Sequence, residues 1–324
     1  MLYDLGFIGQ NIDIAAALLR KNELVAIPTE TVYGLAGNAL SSLAVSRIFN
    51  VKQRPSFDPL IIHLPSFEAI GKYVKRIPAI YEKIATVHTP GPVTFLFEKT
   101  GIIPDIVTSG SPYVAVRIPS HPVALKLLNA IDFPLAAPSA NPFGYISPTT
   151  AQHVADQLGN KIYYILEGGA CEVGVESTII FENAEGKLEV LRKGGLPIES
   201  LLKFVDDVIV RDQSTSNPSA PGMLLSHYSP KIPMILTNVD QLNTNINLER
   251  VGIISPQHFI ANIPIKHQIV LSTHGDFAES ARNLFAGMRY LDSCDIDLIY
   301  AQLLPEANLG IAINDRLRRA AAKS

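Results

Sequence analysis

Four cations stand at the ends of apolar stretches in this chain: Lys52 and Arg54 in Lys-Gln-Arg-Pro, Arg117 in Val-Ala-Val-Arg-Ile-Pro, and Arg192 in Leu-Arg-Lys-Gly-Gly. Beside similar stretches lie small hydroxyl and amide side chains: Thr29 and Thr31 in Pro-Thr-Glu-Thr, Ser139 and Asn141 in Pro-Ser-Ala-Asn, and Ser177 in Glu-Ser-Thr-Ile. Guanidinium and ammonium groups flanked by hydroxyls can hold phosphates and carboxylates through charge-assisted hydrogen bonds. Arg117 makes the strongest case, because a guanidinium inside a short apolar strand is costly to desolvate unless an anion meets it. A small-molecule carboxylate would serve, and so would a core Asp or Glu. Lys52 and Arg54, one residue apart, can grip one polyanion, but complementation of a helix dipole at about 0.3–1 kcal/mol each accounts for them as well. The threonines and the Ser-Ala-Asn segment also suit local Ser/Thr and Asx turns. His63, in Leu-Ile-Ile-His-Leu, fits an ordinary half-buried imidazole.

The elements that must position these groups follow from periodicity. Val25 to Ile27 is an apolar strand running into Pro28-Thr29-Glu30-Thr31, and Leu60 to Leu64 and Val114 to Ile118 are further strands. Ala44, Val45, Ile48 and Phe49 fall at helical spacing behind an N-cap at Ser41 or Ser42. Pro55 ends that helix, leaving Lys52 and Arg54 in an exposed, non-helical exit. Pro134 to Ala137 and the stretches around Ile179 and Leu191 repeat the pattern of strand followed by polar residue. Polar groups at several strand ends are what one shared pocket requires.

The second half is organised differently. Arg211 to Gly222 is rich in Ser, Pro and polar residues without periodicity and reads as a linker, followed by Met-Leu-Leu-Ser-His-Tyr-Ser-Pro from Met223 to Pro230. Met234 to Leu236, Val251 to Ile254, Ile269 to Leu271 and Leu298 to Ala301 are short apolar strands, with helices expected from Asp276 to Leu291 and from Ile311 to Ala322. That alternation predicts a small open α/β sheet, and no Gly-x-Gly-x-x-Gly fingerprint supports nucleotide binding by it. At 324 residues and 47% hydrophobic, the chain suits two domains, each with its own core. A formal charge of −3 argues against a broadly basic RNA-gripping surface. Cys171 and Cys294 fall in separate halves, without the partners of a zinc or disulfide motif. No window approaches the roughly 20 apolar residues of a membrane span, so cytoplasm is the expected location.

In the order of its motifs, the chain resembles the Sua5/YrdC/YciO family, threonylcarbamoyl-AMP synthases that begin N6-threonylcarbamoyladenosine modification of tRNA. The resemblance rests on Pro-Thr-Glu-Thr-Val-Tyr-Gly-Leu, Lys52-x-Arg54, Val-Arg-x-Pro at Arg117, Ser139-x-Asn141 and Glu-Ser-Thr-Ile at Ser177, over about the first two hundred residues. The linker segment Pro-Gly-Met with His-Tyr-Ser-Pro resembles that of the long, two-domain Sua5 form. The implied architecture is a YrdC-like twisted sheet with helices forming a concave pocket over 1–210, a linker or lid over 211–231, and a smaller Rossmann-like α/β domain over 232–324. The implied reaction joins L-threonine, bicarbonate and ATP into threonylcarbamoyl-AMP and pyrophosphate, with Mg²⁺ accompanying the nucleotide and no protein metal site. By position in the pattern, Thr31, His63, Arg117, Ala137 and Ser177 are threonine contacts. Lys52, Arg54, Asp58, Tyr113, Ser139, Asn141, Ser147, Arg192 and Tyr228 are on the ATP side, with Lys52 and Arg54 supplying catalytic countercharge.

Two positions depart from the pattern: Asp58 stands where many members carry Asn, and Tyr113 where a small hydroxyl residue is common. Asp58 either meets Mg²⁺ or turns to solvent, and His63 and Glu30 are the candidates for a general base. The partners implied beyond the substrates are tRNA and the proteins that transfer the threonylcarbamoyl group. Two other readings compete. A non-catalytic tRNA or double-stranded RNA binder needs a wider basic surface. A carbamoyl transferase of the hydrogenase-maturation type would bring Cys-x-x-Cys motifs that the sequence lacks.

Overall fold

The computed structural model describes residues 5–211, 227–242 and 247–322, so most of the linker expected over 211–231 lies outside the described residues. An eleven-stranded mixed sheet runs in spatial order Phe7–Gly9, Tyr164–Leu166, Val25–Ile27, Gly34–Asn38, Leu135–Ala136, Ile61–His63, Tyr113–Arg117, Val93–Glu98, Thr178–Glu182, Leu188–Arg192 and Ile209–Val210. Side chains alternate across its pleat. Val25 and Ile27 pack with Leu19 and Leu127 of the helices Ile12–Arg20 and Pro122–Asn129. Ala26 faces the main core, which is covered by the helices Ser42–Lys52, Ala79–His88 and Ala151–Leu158.

Further along the sheet the same alternation opens a pocket. Val114 and Val116 enter the main core, while Ala115 turns the other way into a small cluster with Ile61, Leu96, Ile179 and Leu191. His63, Arg117 and Thr94 lie in register on three adjacent strands, two residues along from Ile61, Ala115 and Leu96, and so continue that second face as a polar row.

Beyond the linker, Met234–Leu236, Leu298–Ala301, Val251–Ser255 and Gln268–Val270 form an all-parallel four-stranded sheet in that order, with the helices Phe277–Asp292 and Gly310–Ala321. The expected strands and helices of this half are all present. It is not an independent bead. Val32, Ile146 and Val175 from the first half are buried in one cluster with Tyr228, Phe285 and Met288. Arg289 donates to the carbonyls of Ile146 and, at 3.2 Å, Ser147, and Tyr145 donates to Asp292 at 2.5 Å. Gly174, at φ +79°, allows this seat, since a Cβ there would stand 2.4 Å from the Cα of Arg282. Among the described residues no helix is long and apolar enough to cross a membrane.

Candidate active site

The tip between strands Val25–Ile27 and Gly34–Asn38 settles one ambiguity for each threonine. The Thr29 hydroxyl donates to the carbonyl of Val32 at 2.6 Å and accepts from the amides of Thr31 and Val32 at 3.2 Å, a local Ser/Thr turn. That turn aims Thr31 inward, where its hydroxyl accepts from Arg117 Nη1 at 2.8 Å. Glu30, on the same tip, is the anion that Arg117 required: its Oε1 lies 2.7 Å from Nη2, both side chains being 5% exposed. The contact is an ion pair outside hydrogen-bond geometry, for neither Glu30 oxygen nor Arg117 Nη2 has a hydrogen-bond partner among the described residues. The core-carboxylate alternative is therefore present, and Arg117 also lines the cavity.

An open cavity, with about 510 Å³ of empty space counting the solvent at its mouth, is lined by Thr31, Val32, Arg54, Ile61, His63, Arg117, Ala137, Pro138, Ser139, Glu176, Arg192, His227 and Tyr228. Burial and the neighbouring Arg117 push the His63 imidazole down to about 3, so it is neutral. Accepting a proton from a threonine ammonium, near 8–10 in free amines, would then be steeply uphill, and Glu30 is committed to Arg117. Neither sequence candidate suits the work of a general base. Outside the cavity lining, the Thr94 hydroxyl meets that of Ser177 at 2.7 Å, and Arg192, which does line it, donates to the Ser177 carbonyl and hydroxyl at 3.0 Å each. Gly194 makes this approach possible, since a Cβ there would lie 2.4 Å from the Glu176 carbonyl oxygen.

Lys52 and Arg54 do not stand in an exposed exit, contrary to the sequence expectation: they are 1% and 9% exposed. Gln53 takes the left-handed conformation at φ 55°, which reverses the chain and turns Arg54 inward, so that of the two cations Arg54 lines the cavity and Lys52 does not. Lys52 Nζ donates to the carbonyls of Ser139 and Asn141 at 2.5 and 2.6 Å, clamping that turn to the helix. Burial and then Arg54 hold its ammonium well below the ordinary lysine range, so an incoming anion would relieve it. Arg54 donates to the carbonyls of Asp58 and Pro59 at 3.0 and 2.8 Å and pairs with the Asp58 carboxylate at 2.9 Å. Asp58 is thus neither solvent-facing nor turned to the cavity.

Of the remaining expected residues, Ala137, Ser139 and Tyr228 border the cavity. Asn141 and Ser147 lie just behind it. Asn141 Nδ2 donates to the carbonyls of Pro142 and Tyr145 at 2.7 and 2.9 Å, and Ser147 donates to Glu176 Oε1 at 2.5 Å. Tyr113 is set apart. It begins the strand that Arg117 ends, roughly 13 Å away at strand rise. Its ring packs on Phe181 at 5.2 Å, beside a separate depression with Arg76 and Glu98.

Three groups at the site were not singled out from sequence. Glu176 precedes Ser177 on the cavity wall, and His227 precedes Tyr228. Burial raises Glu176, but Arg316, Arg192 and the Ser147 hydroxyl outweigh it and keep the carboxyl below its ordinary range. His227 is held far below the usual imidazole range by burial and then by Arg54 and Lys52. Arg316, on the last helix, reaches Glu176 Oε2 through Nε at 2.9 Å. The sequence signals were membership of the quoted Glu-Ser-Thr-Ile and His-Tyr-Ser-Pro motifs for the first two and a cation on the last expected helix for the third.

Comparison with known proteins identifies the family of the chain. Residues 17–194 match the Sua5_yciO_yrdC family model, described as telomere recombination, and residues 196–322 match that of the threonylcarbamoyl-AMP synthase C-terminal domain. The chain is 40% identical over 324 aligned residues to the threonylcarbamoyl-AMP synthase of Pyrococcus abyssi, covering 95% of this chain and 93% of the relative. It is 34% identical to that of Bacillus subtilis, covering 95% and 92%. The crystal structure of P. abyssi Sua5 complexed with L-threonine superposes with a TM-score of 0.89 at 39% identity, covering 96% of this chain and 94% of that one.

Proposed function

The chain belongs to the Sua5/YrdC/YciO family and carries the C-terminal domain of its synthases, and we propose from that premise that it makes threonylcarbamoyl-AMP and pyrophosphate from L-threonine, bicarbonate and ATP. The threonine amine and bicarbonate give a carbamate and water, and a carbamate oxygen then attacks the α-phosphorus as pyrophosphate leaves. No covalent enzyme intermediate is needed, so the work is positioning and charge neutralisation. The observation that carries this reading is the convergence of Arg117 at one end, and of Arg54 and Arg192 at the other, on one cavity bordered by His227 and Tyr228.

In this reading Arg117 and Thr31 take the threonine carboxylate, with Glu30 fixing the guanidinium, and His63, Ala137 and Ser177 complete that end. Lys52 and Arg54 face the triphosphate, with Ser139, Asn141, Ser147, Arg192 and Tyr228 on the nucleotide side. Asp58 acts by holding Arg54. Tyr113 has no part in it. Glu30, Asp58 and Glu176 are each paired to an arginine, and the described residues hold no cluster of three His, Cys, Asp or Glu groups. Mg²⁺ therefore fits here as an ion carried by triphosphate oxygens and water rather than by a protein cage. In this reading residues 1–210 are the catalytic unit and 232–324 the C-terminal unit, and His227 and Tyr228 of the segment between them, which border the cavity, shield the short-lived carbamate from water. The product goes on, in the cytoplasm, to the proteins that modify tRNA at adenosine 37.

Pyrophosphate release by the purified chain tests the reading, with L-threonine compared against L-serine and no amino acid in the presence of bicarbonate. Release that requires threonine supports it. A folded sample that releases none under any condition overturns it.

A further inference from the structure

Among the described residues, Arg316 is the largest side chain with no exposure. It sits on the helix Gly310–Ala321, and besides Asp315 of that helix it reaches groups elsewhere in the chain. Nε donates to Glu176 Oε2 at 2.9 Å, and Nη1 donates to the Lys193 carbonyl and to Asp315 at 2.8 Å. Its Cζ lies 5.2 Å from the centroid of the Tyr228 ring. Glu176 and Tyr228 both line the cavity. Other contacts between the halves, such as Arg282 with the Glu172 carbonyl and Tyr145 with Asp292, fasten the units without reaching that wall.

We propose that Arg316 is a positioning residue for the reaction: it fixes the Glu176 carboxylate and the Tyr228 ring, so the C-terminal unit completes the pocket instead of only docking beside it. The inference rests on the synthase reading for its kinetic consequence and on geometry alone for its structural one. Tyr228 adopts φ 63°, a backbone conformation that a tyrosine keeps only when its surroundings impose it. Those surroundings combine Val32, Ile146 and Val175 of the first half with the guanidinium of Arg316 and the Phe285 ring, 5.5 Å away, from the C-terminal unit. The planar fork bonds Glu176 and the Lys193 carbonyl at once, a geometry that a lysine ammonium cannot reproduce. Glu176 is committed on its other oxygen to Ser147, so the carboxylate is held from both units.

R316K retains charge without the fork, and R316M/E176Q removes both buried charges together in case R316M alone fails to fold. Each is measured for thermal midpoint, for kcat, and for the KM of ATP and L-threonine. In folded R316K we expect kcat to fall about 100-fold, the loss that a small misplacement at a reacting centre causes. The KM for threonine should stay within about threefold. Because the chain has no tryptophan, Y228W supplies a single indole reporter whose emission should move to the red when R316K is added. Folded R316K and R316M/E176Q with kcat near wild type, or an unmoved emission in Y228W/R316K, would overturn the proposal. The emission measurement needs no turnover, so it stays decisive even if the synthase reading itself fails.

Discussion

Replacing Arg54 by methionine separates its structural work from its chemical work. The guanidinium is paired at 2.9 Å with Asp58, which is fully buried, and it caps the carbonyls of Asp58 and Pro59. R54M strands that carboxylate, and breaking a buried pair from one side costs about 3–5 kcal/mol. At about 2–4 °C per kcal/mol for a chain of this size, the midpoint should drop on the order of 10 °C. R54M/D58N removes the stranded charge and should recover more than half of that loss, the residue being two uncapped carbonyls. Turnover should not recover. A charge facing a phosphate at 4 Å in an effective dielectric near 20 contributes about 4 kcal/mol, or roughly a thousandfold in rate. Calorimetry paired with pyrophosphate release reads both quantities on the same samples. If R54M/D58N regained both stability and wild-type turnover, the countercharge role of Arg54 would be refuted and only the buried pair would remain.

Three further outcomes follow from the contacts described. His63 binds a proton only near pH 3 when folded but near 6.5 when unfolded, so the unfolded state takes up more protons as pH falls between those values and stability is lost there. At pH 5 this amounts to about 2 kcal/mol for one such histidine, and H63N should flatten the urea-midpoint difference between pH 7.5 and pH 5 by about that much. R289M, which loses bonds to the Ile146 and Ser147 carbonyls and to Gln157, should destabilise the chain by at least about 3 kcal/mol and split urea unfolding into two transitions. A single unshifted transition would contradict the docking described. Y113A should keep turnover within about threefold, since the ring packs on Phe181 outside the cavity; a large loss would return Tyr113 to the site.

What the sequence disclosed and what it hid divide along physical lines. Thr31, His63, Arg117 and Ser139 were legible because each stands beside an apolar run whose alternation reveals a strand, and strand ends in one sheet share an edge. Tyr113 misled for the same reason: it shares a sheet face with Ala115 and Arg117 on one strand, but stands at the opposite end of it from the cavity. The exposure of Lys52 and Arg54 was misjudged because a left-handed Gln53 folds the helix exit inward, and no local pattern distinguishes that turn from a solvated one. The Arg316–Glu176 pair spans 140 residues and joins the last helix to the turn before the strand Thr178–Glu182, so single-sequence periodicity carries no trace of it. The pairing of Arg117 with Glu30 was open in the sequence as one of two anions, and the structure contains that carboxylate.

The most direct test of the central claim is the mass of the adenylate formed when the purified chain is given ATP, L-threonine and ¹³C-labelled bicarbonate. The account predicts a threonylcarbamoyl-AMP product heavier by one mass unit than that from unlabelled bicarbonate, with pyrophosphate released in equal amount. Pyrophosphate release with an unlabelled threonyl-adenylate would show that the carbamate is never made, and the reaction assigned to this cavity would be wrong.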